Sequence, residues 1–155
     1  MGAMQLLRVE GPGPRLEETR ALLAEYWRSF GLTPCFQGFD RELVTLPGAY
    51  APPRGTLLLL PGEGCVAVRP LDAETAEMKR LYLRPQARGK GLGRALALEA
   101  VAHARKLGFA RIVLDTLPEQ MAEAVALYRS MGFREGAPYL PEPTPGALCL
   151  ELPLR

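Results

Sequence analysis

The 155-residue chain has no asparagine, one histidine, one tryptophan and three cysteines. Each scarcity excludes something. Cys35, Cys65 and Cys149 lack the paired spacing of a zinc site or a redox dithiol and are odd in number. No metal centre is therefore expected, and incidental or buried thiols in a reducing compartment are. No apolar run approaches the ~20 residues of a membrane span, and the opening MGAMQLLRVE lacks the basic-then-apolar layout of a secretory signal. The expectation is a soluble cytoplasmic protein without a membrane role. An excess of one charge sign is also missing: a net charge of +2 is too small for a nucleic-acid footprint. The preference for Arg over Lys, the absent asparagine and the proline-rich connections suit a heat-adapted protein, although GC-rich codon usage gives the same composition.

The length is enough for one core without staples, so residues 1–155 are expected to form a single domain. Gln5 to Val9 is predicted as a short strand, ended by Gly11-Pro12-Gly13-Pro14. Leu16, Thr19, Leu23, Tyr26, Trp27 and Phe30 then recur at helical spacing, which predicts a helix over 15–30 stopped by Gly31. A shorter helix is expected at 40–46. Thr56 to Leu60 and Cys65 to Arg69 flank Pro61-Gly62-Glu63-Gly64 and form a predicted hairpin, and Glu77 to Leu83 is the next strand. Gly93, Leu96, Ala97, Ala100, Ala104 and Leu107 share one face of a helix over 92–107 whose small residues allow close approach to a sheet. Ile112 to Asp115 completes a strand-helix-strand unit, expected to be parallel with a right-handed crossover. A helix near 119–131 and a strand at 147–152 close the pattern.

At the first turn of that unit, "RPQARGKGLGRAL" sets Gly89, Gly91 and Gly93 among Arg88, Lys90 and Arg94. A helix N-terminus offers unpaired N–H groups and a positive dipole end. Glycines let an anion approach those amides, and the basic residues add charge, so a pyrophosphate-bearing ligand is expected here. A nucleotide-triphosphate loop requires Lys-Ser or Lys-Thr after its last glycine, and Arg94-Ala95 stands there instead. A dinucleotide fingerprint requires glycine at Arg94, although Asp115 imitates its ribose-binding acid.

The stretch Arg88-Gly89-Lys90-Gly91-Leu92-Gly93 resembles the Q/R-x-x-G-x-G/A signature of the GNAT superfamily of acetyl-CoA-dependent N-acetyltransferases. The likeness extends to Glu77–Pro85, to Arg111–Thr116, to Ala124-Val125-Ala126-Leu127-Tyr128 and to Gly132-Phe133. Met121 stands where many members carry an asparagine that reaches the CoA arm. The resemblance implies an α/β GNAT fold: a mixed, mostly antiparallel central sheet with a splayed parallel strand pair and flanking helices. It implies acetyl-CoA as acyl donor, held by Leu81, Tyr82 and Leu83 of the splayed strand and by Arg88, Gly89, Lys90, Gly91, Leu92, Gly93 and Arg94.

It further implies direct attack of an amine on the thioester, without a covalent enzyme intermediate. Tyr128 is the candidate acid for the departing thiolate; as part of an apolar face with Met121, Ala124 and Val125 it also reads as a core tyrosine. Glu77 is the candidate base, through water, with Glu74 and Asp115 as rivals. His103 reads as structural or solvated. The acceptor is expected to be a small-molecule amine with an apolar or anionic part, lined by residues among Phe36, Tyr50, Arg54, Tyr82 and Tyr139, while a protein amine stays open. A second copy of the chain is carried as a partner. The alternatives are a silent acyl-CoA-binding module of the same fold and a dinucleotide-binding protein.

Overall fold

The computed structural model describes residues 5–29, 38–119, 121–142 and 144–155. Phe30, Gly31, Cys35 and Phe36, singled out in the sequence, lie outside the described residues. Seven strands form one mixed sheet in the order β1-β2-β3-β4-β5-β7-β6: β1 Leu7–Arg8, β2 Thr56–Leu60, β3 Gly64–Pro70, β4 Thr75–Leu83, β5 Arg111–Thr116, β6 Arg134–Glu135 and β7 Leu148–Pro153. The β4–β5 pair is parallel and the other neighbours are antiparallel. This arrangement excludes the doubly wound parallel sheet of a dinucleotide-binding domain.

The described helices are α1 Pro14–Arg28, α2 Phe39–Thr45, α3 Leu92–Lys106 and α4 Ala122–Ser130. Leu58, Leu60, Met78, Ile112 and Leu114 pack with α3 and with Tyr128 of α4 on one face of the sheet. Leu57, Leu59, Ala67 and Tyr82 pack with α1 and α2 on the other. Strand β2 therefore buries every residue, and its TLLLL shows no polar alternation because both of its faces are covered. Helix α3 presents Ala97, Ala100 and Ala104 to the sheet, all fully buried, as expected for small residues at a close helix–sheet contact.

The predicted 119–131 helix is shorter, starting at Ala122, because Leu117-Pro118-Glu119 turns before Met121 N–H bonds to the Leu117 carbonyl at 2.9 Å. Strand β6 was not predicted; two exposed residues carry no periodic signal.

One irregularity positions the site. Cys65 pairs with Tyr82 and Ala67 with Lys79, so β4 uses one residue more than β3 over that interval, a β-bulge at Arg80-Leu81. Arg80 has a positive φ of 61°, unusual for a residue with a side chain. Its guanidinium is held by two 2.8 Å hydrogen bonds to Glu42 of α2. The same group lies 5.1 Å from the centre of the Phe39 ring and 5.3 Å from that of Trp27, within reach of both ring faces. The bulge turns both Lys79 and Arg80 toward the α1–α2 face. Next to it β4 leaves β5: pairing stops at Glu77–Val113, although β4 continues to Leu83 and β5 to Thr116.

Candidate active site

The parted strands leave a seam, and the glycine loop opens onto one side of it. A cleft of about 810 Å³ is lined by Leu81, Tyr82 and Leu83 of β4, by Arg88, Gly89, Gly91, Leu92 and Gly93, by Met121, and by Ala122, Glu123, Ala124 and Leu127 of α4. The residues named for cofactor binding all line it, with two exceptions. Lys90 is exposed at the rim, and Arg94 is turned to α4, where its Nη1 donates to Ser130 Oγ at 2.9 Å.

The loop leaves open space over its backbone. Gly89 and Gly91 have φ near +79° and +78°, and a Cβ built on either would meet nothing within 4 Å. The space above both residues is open, and each uses a backbone region that favours glycine. From Gly89 to Arg94 the amides have no backbone carbonyl partner among the described residues, as in the first turn of a helix; Ala95 is the first to have one, bonding Gly91 O at 3.2 Å. Gly93 differs, since its Cβ would make ordinary contacts of 3.5 and 3.8 Å with Leu83 and Leu127. Arg88 is fixed by a 3.0 Å bond from Nε to the Leu83 carbonyl and lies 5.9 Å above the Tyr82 ring.

A small cavity of about 30 Å³ occupies the seam between Leu81 and Asp115, with Tyr26, Lys79 and Tyr128 in its wall. It has room for one water. Tyr128 is 5% exposed and tilted against Phe133 at 5.7 Å. Its hydroxyl makes no hydrogen bond to another described residue, and burial pushes its pKa well above the ordinary tyrosine value. Tyr26, contributed by α1, was not named for the site; its helical spacing marked it as core, and burial raises its pKa to about 12.

Glu77 has no solvent exposure. Arg69 Nε donates to its Oε1 at 2.6 Å and the Tyr139 hydroxyl donates to its Oε2 at 2.5 Å. Both oxygens are thus engaged, and Glu77 lines neither the large cleft nor the seam cavity. Asp115, its rival in the sequence, is half-buried at the seam with no ion pair or side-chain hydrogen bond to a described residue. Burial first, and then the Glu77 charge, raise the Asp115 pKa above the usual carboxylate range. Glu74 lies outside the seam, its carbonyl accepting the amides of Ala110 and Arg111.

The acceptor-lining candidates divide. Tyr82 faces the cleft and donates to Glu25 Oε1 at 2.9 Å. Tyr139 holds Glu77, and Tyr50 lies in a pocket beside α2. Arg54 is placed elsewhere, stacked 4.2 Å over Phe109 and bonded to the Ala73 carbonyl. His103 is on α3, away from both cavities. Cys65 and Cys149 are free and buried; burial raises the Cys65 pKa to about 12, so its thiol is inert at neutral pH. No group of three or more metal-ligating side chains occurs among the described residues, nor any helix long and apolar enough to cross a membrane.

Comparison with known proteins gives the same geometry a name. The Acetyltransferase (GNAT) family profile matches residues 16–133. An uncharacterized N-acetyltransferase of Schizosaccharomyces pombe is 40% identical over 143 residues, covering 88% of this chain and 87% of that protein. Among solved structures, yncA of Salmonella typhimurium, described as a putative acetyltransferase with its cofactor acetyl-CoA, superposes with a TM-score of 0.68 at 19% identity, covering 99% and 95% of the two chains. Spermidine N-acetyltransferase of Vibrio cholerae, in complex with CoA and spermine, gives a TM-score of 0.71 at 19% identity, covering 97% and 96%. At such identities the two structures speak for the fold.

Proposed function

Because the chain belongs to the GNAT acetyltransferase family, and is an N-acetyltransferase using acetyl-CoA, we propose that it acetylates the primary amine of a small molecule by direct attack, with donor and acceptor bound together. The observation that carries this reading is the seam. It opens on one side to a glycine loop of unpaired amides and on the other to a buried, charged face of β4.

The residues fit the donor. Amides 89–94 and Arg88 suit its pyrophosphate, and the unpaired edge of β4 from Leu81 to Leu83 suits an arm added like a strand. Met121 precedes α4 without a side-chain capping bond, and its sulfur accepts from Thr116 Oγ1 at 3.5 Å, so the arm receives no hydrogen-bond donor from that side chain. When bound, acetyl-CoA supplies an activated acetyl thioester. A β4 amide freed by the bulge near Leu81 then polarises the carbonyl.

Asp115 is the carboxylate that takes the proton from the attacking amine. It is open where Glu77 is engaged, and Glu77 acts behind it by raising its proton affinity toward working pH. Tyr128 donates a proton to the leaving sulfur, since burial keeps its phenol protonated throughout the neutral range.

The test is thiol release from acetyl-CoA against a panel of amino acids, polyamines, aminoglycosides and peptides. Turnover of at least one amine is the expected result; binding of acetyl-CoA without turnover of any would leave a silent acyl-CoA-binding module. Acetyl-CoA should also raise the melting temperature by mass action where NAD and ATP do not.

A further inference from the structure

On the α1–α2 side of the seam lies a second pocket, of about 340 Å³, that the transfer chemistry does not use. Arg41 and Glu42 of α2, Tyr50, Arg69 of β3 and Lys79 of β4 line it. Its cations are not balanced. Glu42 is committed to Arg80 by two 2.8 Å bonds, and Glu77 to Arg69. Lys79 and the Arg41 guanidinium have no hydrogen bond or ion pair to a described residue. Counting the partners behind the wall and Asp115 across the seam, Arg41, Arg69, Lys79 and Arg80 exceed Glu42, Glu77 and Asp115 by one charge.

Lys79 is the unusual member. This half-buried lysine sits beside Arg69 and Arg80 with no ion pair to a described residue. Burial first, and then the Arg80 charge, lower its pKa. Lys79 also reaches the wall of the seam cavity, across from Asp115. One side chain therefore joins the place where an amine must lose its proton to the place where positive charge is unmet.

We propose that the acceptor is an amine carrying an anionic group, its amine at Asp115 and its anion in the pocket of Lys79, Arg69 and Arg41. This inference rests on the acetyl-transfer reading of the same site. A carboxylate is the smallest such group, and its two oxygens suit one guanidinium or ammonium each. An amino acid carries both groups. A polyamine would bring cations to a pocket already cationic, and like charge disfavours it.

The experiment compares matched acceptors on the full chain: free amino acids, their carboxamides and methyl esters, O-phosphoethanolamine, and spermidine. We expect kcat/KM for a free amino acid to exceed that of its carboxamide at least about tenfold. Lys79→Met should reduce kcat/KM for the acid about ten- to a hundredfold more than for the carboxamide, chiefly through KM. An acceptor preference for O-phosphoethanolamine with the same Lys79 dependence supports the anion site and assigns it to phosphate. Equal use of acid and carboxamide, preference for spermidine, or a Lys79→Met loss shared by all acceptors overturns the proposal while leaving acetyl transfer standing. Failure of acetyl-CoA to shift the melting temperature, with no turnover of any amine, would instead remove the underlying reading and this one with it. If Lys79→Met fails to fold, Arg41→Gln, at an exposed position, makes the same comparison with a smaller expected change.

Discussion

Replacing Tyr128 by phenylalanine removes one oxygen and keeps the ring against Phe133. If the hydroxyl does nothing but pack, the change is small: it has no hydrogen bond to a described residue, so its loss strands no described partner. Stability should move by less than about 1 kcal/mol, about 2–4 °C in Tm for a chain of this size. If the hydroxyl protonates the departing sulfur, kcat should fall by about 10²- to 10⁴-fold, equivalent to roughly 2.7–5.4 kcal/mol of barrier. Acetyl-CoA affinity should remain near the parent value, because Tyr128 lines the seam cavity and not the cleft. Slow product release can mask the chemical step in steady state, so the measurement is a single turnover with a working acceptor. The pH profile adds an independent readout: with its pKa raised by burial, ionisation of Tyr128 should leave no alkaline limb below about pH 10. A variant that acetylates at the parent rate in a single turnover refutes the acid role, and the sulfur then takes its proton from water or leaves as thiolate.

Other perturbations test neighbouring parts of the argument. Gly91→Val should abolish the acetyl-CoA thermal shift, because a side chain there enters the space above the loop amides. It should also destabilise the free protein by roughly 1 kcal/mol or more, since Gly91 holds a left-handed backbone that strains any side chain. Gly93→Ala should be neutral or stabilising by up to about 1 kcal/mol, because its Cβ makes ordinary contacts inside a helix; comparable damage at both positions would contradict the loop geometry. Arg80→Met should destabilise by roughly 2–3 kcal/mol by removing the guanidinium that pairs with Glu42. Burial raises the Glu42 pKa, but the Arg80 hydrogen bond and charge outweigh it, and the net shift is downward. The stabilisation is therefore fully present above about pH 4.5 and lost as pH falls through the lower folded value. A Tm profile below about pH 5 that is identical in parent and variant would refute that assignment. Asp115→Asn should slow single-turnover transfer at least about 10²-fold and remove the acidic limb of the rate profile. Because the folded pKa of Asp115 is raised, its ionised form opposes folding above about pH 4, and the variant should melt higher at neutral pH. An unchanged acidic limb would move the base elsewhere.

Local features were legible because they depend on neighbours in sequence. The hairpin of β2 and β3, the strand-helix-strand unit and the glycine loop rest on turn residues, on periodicity and on the backbone region that only glycine enters readily, and they lie within a residue or two of expectation. Tyr128 could be named from its surrounding pattern. Other features depended on distant residues. Nothing in "EMKRLYL" announces that Arg80 takes a positive φ; that follows from Glu42, Trp27 and Phe39, which lie far from it along the chain and meet it only in the fold. Glu77 and Asp115 were both open candidates in sequence, and separated once Arg69 and Tyr139 were found on one and not the other. Arg54, a plausible lining residue by position, was claimed by Phe109. The sequence by itself therefore determined most of the elements, the position of the glycine loop and the family. Tertiary structure decided which charges were left unpaired, because pairing is a contest among side chains that meet only when the sheet brings α2, β3 and β4 together.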